Sequence, residues 1–111
     1  MGALAVGDVV VAAFPFSDLS RYKKRPAIVV AIGDFDDPVL CQITSFRDKA
    51  ANTVRLDKKS FSSGSLSQIS FARPDKLFTA DKSLLEGKVI GRLSDAGMQA
   101  VKSRLKAIFN L

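Results

Sequence analysis

The chain has 111 residues, of which 17 are Lys or Arg, 11 are Asp or Glu and 47% are hydrophobic, leaving a formal charge of +6. That length suits one domain with its own core rather than two, the apolar share excludes a disordered chain, and the charge favours a polyanion or an acidic protein partner. The absence of histidine excludes a Ser-His-Asp triad, a paired-imidazole ribonuclease site and histidine metal ligands, and a single cysteine, Cys41, excludes an internal disulfide and a thiolate zinc site.

A first strand is expected from Asp8 to Phe16, a Val, Ala and Phe run of the kind buried on both faces, bent or ended by Pro15. The first twenty residues lack a basic segment followed by a long apolar stretch. No apolar run approaches the roughly 18 residues of a membrane span, so a cytosolic location is the expectation. A basic loop follows, with Arg21, Lys23, Lys24 and Arg25 falling within five positions. Pro26 to Ile32 reads as a second strand, closed by Gly33 and the acidic Asp34, Asp36 and Asp37. Val39 to Ser45 makes a third and Thr53 to Leu56 a short fourth. SFSSGS reads as a flexible connection, Leu66 to Phe71 as a fifth strand, and Arg73-Pro74 opens another extended piece through Phe78. Asp81 to Glu86 is expected to form a helical turn before a strand from Val89 to Arg92. From Ser94 the chain turns helical, with Ser94 and Asp95 at the helix start and Met98, Val101, Leu105 and Ile108 on one face. Short strands with one terminal amphipathic helix fit an α+β domain, mainly β: a small SH3-like barrel or curved antiparallel sheet with the helix packed against it.

The residue types narrow the chemistry. Cys41 sits in an apolar run and reads as a small buried hydrophobe. The aspartate cluster lacks the spacing of a calcium loop and reads as a solvated turn, so no metal site and no cofactor is expected. Phosphoryl transfer to a neighbouring hydroxyl asks little covalent chemistry of a protein. The enzyme must align the nucleophile and neutralise charge on the phosphate oxygens, and a guanidinium does this with fixed donors to two oxygens at once. Arg21, Lys23 and Lys24 would recruit a polyanion by charge without reading its bases. Phe14, Phe16 and Phe46 are candidates for stacking on unpaired bases; strand alternation argues that at least one of the first two is core, leaving Phe46 the better candidate.

Three short elements, Gly7-Asp8 at the first strand, Arg25-Pro26 at the second and Thr44-Ser45 at the end of the third, resemble the MazF/PemK toxins of bacterial toxin-antitoxin modules in order and spacing. The resemblance runs through nearly the whole chain, to Gln68 in LSQIS and to the VIGRLS segment ending at Ser94. It implies that Arg25 and Thr44 are catalytic and that Ser45 and Gln68 contact substrate. Several relatives have an acidic residue directly before the glutamine, where this chain has Ser67, so a carboxylate base drawn from those relatives has no counterpart here. The resemblance further implies an endoribonuclease that cuts single-stranded mRNA to 2′,3′-cyclic phosphate and 5′-hydroxyl ends without a metal. It implies a homodimer, and an antitoxin partner whose acidic segment blocks the basic site. Two other readings stand beside it: a gyrase-poisoning toxin of the same fold, and a catalytically silent module that binds nucleic acid or antitoxin.

Overall fold

The Val, Ala and Ile runs of the first half of the chain form the centre of one antiparallel sheet in the computed structural model, which describes residues 4–15, 22–45 and 52–111. The strands are β1 (Asp8–Pro15), β2 (Tyr22–Ile32), β3 (Pro38–Thr44), β4 (Val54–Leu56), β5 (Phe61–Gly64), β6 (Ser70–Thr79) and β7 (Leu85–Leu93), followed by helix α1 (Asp95–Phe109). Across the sheet they run β4-β6-β3-β2-β1-β7-β5. A flat sheet with one helix layer would be much thinner in one direction. The nearly equal extents of 33 × 31 × 30 Å require a curled one. This is the expected architecture, mostly β with a C-terminal helix.

Strand alternation divides the core in two. Val9, Ile28, Cys41, Ile43, Val54, Leu56 and Ala72 pack on one face with Met98 and Val101 of α1. Val10, Ala12, Phe14, Ala27, Val29 and Leu40 pack on the other, where the curl brings in Phe78, Ala80 and Leu85. The inner strands β1, β2 and β3 therefore read as continuous apolar runs because both of their faces are covered.

The Gly7-Asp8 pair explains itself structurally. Gly7 has φ +100°, a conformation that glycine adopts without a Cβ penalty. Its N–H donates to the Val29 carbonyl at 2.8 Å, and its own carbonyl accepts from Leu93 N–H at 2.9 Å. The buried Asp8 carboxylate accepts from Ala5 N–H at 2.9 Å and from the Arg92 guanidinium at 2.8 Å. The Gly-Asp opening and the VIGRLS segment are thus two halves of one structural joint between β1, β2 and β7.

Several boundaries differ from expectation. β2 starts at Tyr22, so Lys23, Lys24 and Arg25 lie on a strand rather than in a loop; they pair with Phe14, Ala13 and Ala12 of β1. The SFSSGS stretch contributes β5, not a flexible connection, because Phe61 to Gly64 finds a free edge on β7. Gly64 is held at φ +64°, and a Cβ there would strike the Ile90 carbonyl. Leu66 to Ile69 lie outside any strand; β6 begins at Ser70 and continues through Arg73-Pro74 as one strand with an irregularity where it pairs with β3. The expected turn is a 3₁₀ turn at Lys82–Leu84 capped by Asp81, and Leu85 onward is strand. Helix α1 follows the expected stripe: Met98 and Val101 are buried and Leu105 and Ile108 half-buried. Its start is pinned by Ser94 Oγ, which accepts from Gly97 N–H at 3.1 Å, and Gly97 lets the first turn approach Ser60.

Candidate active site on the open sheet face

Arg25 stands opposite Ala12 in the β1/β2 ladder, and Ala27, Ile28 and Val29 stand opposite Gln42, Cys41 and Leu40 in the β2/β3 ladder. The paired ladder ends at Ala27 and Gln42, and its register continued by two residues sets Arg25 opposite Thr44. Residues opposite one another in an antiparallel pair point to the same face with Cβ atoms about 4.5–5.5 Å apart. That face is the one turned away from α1, since Ala12 and Ala27 belong to the core cluster on that side. Two sequence elements nineteen positions apart thus become neighbours across one strand gap.

Thr44 has a second neighbour on the same face, Phe71 of β6. Thr44 is only 8% exposed, whereas Arg25 is half-buried and Phe71 half-buried. Thr44, the short side chain between two longer neighbours, is the most buried of the three. Phe71 in turn pairs with Arg55 of β4.

The other expected site residues divide. Lys23 is exposed and shares the face of Arg25, while Lys24 is exposed on the opposite face, so the basic run is not one patch. Ser45 is exposed just past the end of β3. Gln68 is exposed and precedes β6. It borders a cleft of about 220 Å³ whose lining includes Leu56, Phe61, Leu66 and Ile69 and neither Arg25 nor Thr44. Arg21, Phe16 and Phe46 lie outside the described residues. Phe14 is buried, its ring 5.6 Å from that of Phe78, so it is core and not a stacking surface.

Two short ion pairs fix charge on β4 and β6. Arg55 Nη1 donates to Asp57 at 2.7 Å, and Arg73 grips Asp75 through Nη2 at 2.8 Å and Nε at 3.3 Å. The Arg73 hydrogen bond holds the Asp75 carboxyl below its ordinary range; Asp57 is lowered chiefly by the Lys59 backbone N–H, with Arg55 adding to it. Burial pushes the Cys41 thiol up to about 12, so it is no nucleophile at neutral pH. Asp34, Asp36 and Asp37 form the β2–β3 turn, closed by Gly33 N–H to the Asp37 carbonyl at 2.9 Å, with Asp36 at φ 64°. Among the described residues no group of His, Cys, Asp or Glu is placed to hold a metal ion, and no helix is long and apolar enough to cross a membrane.

Phe71 and Arg55 were not among the residues that sequence reasoning singled out. Their strands were anticipated, but which strands lie side by side was not, and only that pairing puts them next to Thr44.

Comparison with curated proteins finds no match. Among solved structures, the Mycobacterium tuberculosis toxin MazF-mt6 superposes with a TM-score of 0.72 at 21% identity, over 94% of this chain and 97% of that one. A mycobacterial endoribonuclease gives 0.73 at 21% identity over 100% and 95%, and a mycobacterial endoribonuclease in complex with its cognate antitoxin gives 0.70 at 21% identity over 98% and 97%. At such identity these likenesses establish the fold. A family model described as the PemK-like, MazF-like toxin of type II toxin-antitoxin systems matches residues 5–109, nearly the whole sequence, and the chain belongs to that family.

Proposed function

We propose that this toxin is an endoribonuclease that cuts single-stranded RNA, mRNA above all, at a site built on Arg25 and Thr44. The observation that carries the reading is their shared position: a half-buried arginine and a buried threonine on adjacent strands, on one face of the sheet. In the reaction the RNA 2′-oxygen attacks the adjacent phosphorus and loses its proton, the bond from phosphorus to the 5′-oxygen breaks, and that oxygen takes up a proton. The products are a 2′,3′-cyclic phosphate and a 5′-hydroxyl. Arg25 neutralises the non-bridging oxygens as charge gathers on them, and the Thr44 hydroxyl adds a short donor that orients the phosphate. Arginine stays protonated at physiological pH, so its part is charge stabilisation rather than proton removal. Ser45, at the strand end, supports the same phosphate, and Lys23 and Lys24 with Arg21 recruit the strand by charge.

Two of the solved structures of this fold are described as endoribonucleases, and one of these is held with its cognate antitoxin. That supports an antitoxin partner for this chain, whose acidic segment would compete with RNA for the same cations, and we place the working enzyme as a cytoplasmic homodimer with RNA crossing between the subunits. Gln68 contacts the strand away from the scissile bond. The test is incubation of the purified protein with a long mixed-sequence RNA in EDTA. Cutting is expected to persist in the chelator and to fail on RNA with 2′-deoxy substitution at the cleaved nucleotide. Arg25→Ala and Thr44→Ala should each lower the rate by about 10²–10³. Cleavage at wild-type rate by both variants would sink the assignment.

A further inference from the structure

Beyond Thr44, the face continues with two side chains that the reaction itself does not require. Phe71 pairs with Thr44 on one side and with Arg55 on the other, so four strands present a row in the order Arg25, Thr44, Phe71, Arg55. Three inter-strand steps make the row about 15 Å long. Two guanidiniums stand at its ends, and between them lie a hydroxyl and an aromatic ring. The adjacent residues Ala72, Val54 and Leu56 are buried on the other face of β6 and β4, so the backbone holding the row is fixed by the core.

We propose that Phe71 and Arg55 carry the RNA strand onward from the scissile phosphate, Phe71 receiving a flanking base on its ring and Arg55 binding the next phosphate. This rests on the endoribonuclease reading above and extends it to named positions. A ring between two cations is complementary to a strand that alternates flat bases with anionic phosphates. The ring is half-buried, which leaves surface to stack on while limiting the rotamer entropy lost when a base arrives. The Arg55 side chain is 55% exposed and already holds an anion, the Asp57 carboxylate at 2.7 Å. A phosphate would take over from that carboxylate, exchanging one charge-assisted contact for another. A neutral apolar partner would match Phe71 but make no use of the flanking guanidiniums of Arg25 and Arg55, which makes it a poorer fit.

Fluorescence anisotropy with a short, labelled, mixed-sequence 2′-O-methyl RNA, which lacks the nucleophile, tests the idea on the full chain. Phe71→Leu should weaken binding about tenfold and Phe71→Tyr should restore it. Arg55→Gln should reduce the slope of log affinity against log salt by about 0.7, the share of one phosphate contact on a single strand. Wild-type affinity in Phe71→Leu together with an unchanged slope in Arg55→Gln would overturn the proposal. So would a Phe71→Leu variant that shifts subunit association in the absence of RNA while binding the probe normally, because the face would then be a contact between copies. A wild-type protein that binds the probe with this dependence yet cuts no RNA would remove the endoribonuclease reading and leave the binding row standing. Cutting by the wild type with no effect of either variant would do the reverse.

Discussion

Ile43 and Thr44 are neighbours in β3, yet the pleat sends them into different chemistry. Ile43 points with Ala72, Val54 and Leu56 into the core under α1. Thr44 points with Arg25, Phe71 and Arg55 to the face without a helix. The same division runs through β6, between Ala72 and Phe71, and through β4, between Leu56 and Arg55. One face at this end of the sheet is occupied in holding the strands in register, which leaves the other able to carry polar and charged groups at little cost to the fold. The lesson is that a short segment can be both core and site, provided the two roles alternate.

Paired substitutions are the strongest way to break this comparison. Ile43→Ala should cost about 2–5 kcal/mol in urea unfolding, through lost burial and the cavity left behind. Thr44→Val, which keeps the branched shape, should cost about 1 kcal/mol while lowering cleavage by about 10²–10³. If Thr44→Val unfolds the protein as readily as Ile43→Ala, the two faces are not functionally separate. A smaller effect is expected at the β1–β7 joint. Asp8→Ala removes an acceptor from the Ala5 N–H and from Arg92, and should cost about 1.5–3 kcal/mol. Arg92→Gln should cost less than about 1 kcal/mol because the Arg92 side chain is 48% exposed. Reversal of that order would mean that the cation, not the buried carboxylate, organises the joint.

The smallest effect concerns Cys41. Its thiol is pushed by burial from an ordinary 9.0 to about 12, so the folded chain keeps a proton that the unfolded chain releases. The contribution is therefore full well below pH 9 and lost as the pH rises toward 12, by about 1.4 kcal/mol at pH 10. The fall in unfolding midpoint between pH 8 and pH 10 should be steeper in the wild type than in Cys41→Ala. Equal slopes would place the thiol in contact with water, and so would alkylation of the folded protein at pH 8.

Much of the fold was readable along the chain because local signals agreed with the outcome. The doubly apolar runs of β1, β2 and β3, the Ser94 cap and the Met98–Val101–Leu105 stripe each specify an element without help from elsewhere. The misread segments are those whose conformation depends on a partner. Ser62, Ser63 and Gly64 have low strand preference and become β5 only because β7 offers an edge. Lys23 and Lys24 read as loop from their charge, yet β1 draws them into its ladder, and the resulting alternation splits a basic run that looked like one patch. Gln68 was expected on a strand and instead borders a cleft ahead of β6, which begins at Ser70.

Residue type and order, read with the family resemblance they carry, were enough to nominate Arg25 beside Pro26 and Thr44 at a strand end as candidates for handling a phosphate in a chain without histidine. Their adjacency, the burial of Thr44 and the continuation of the row through Phe71 to Arg55 were decided only on folding. Strand order and register are long-range properties, set by which apolar faces find each other, and no stretch of sequence carries that information by itself.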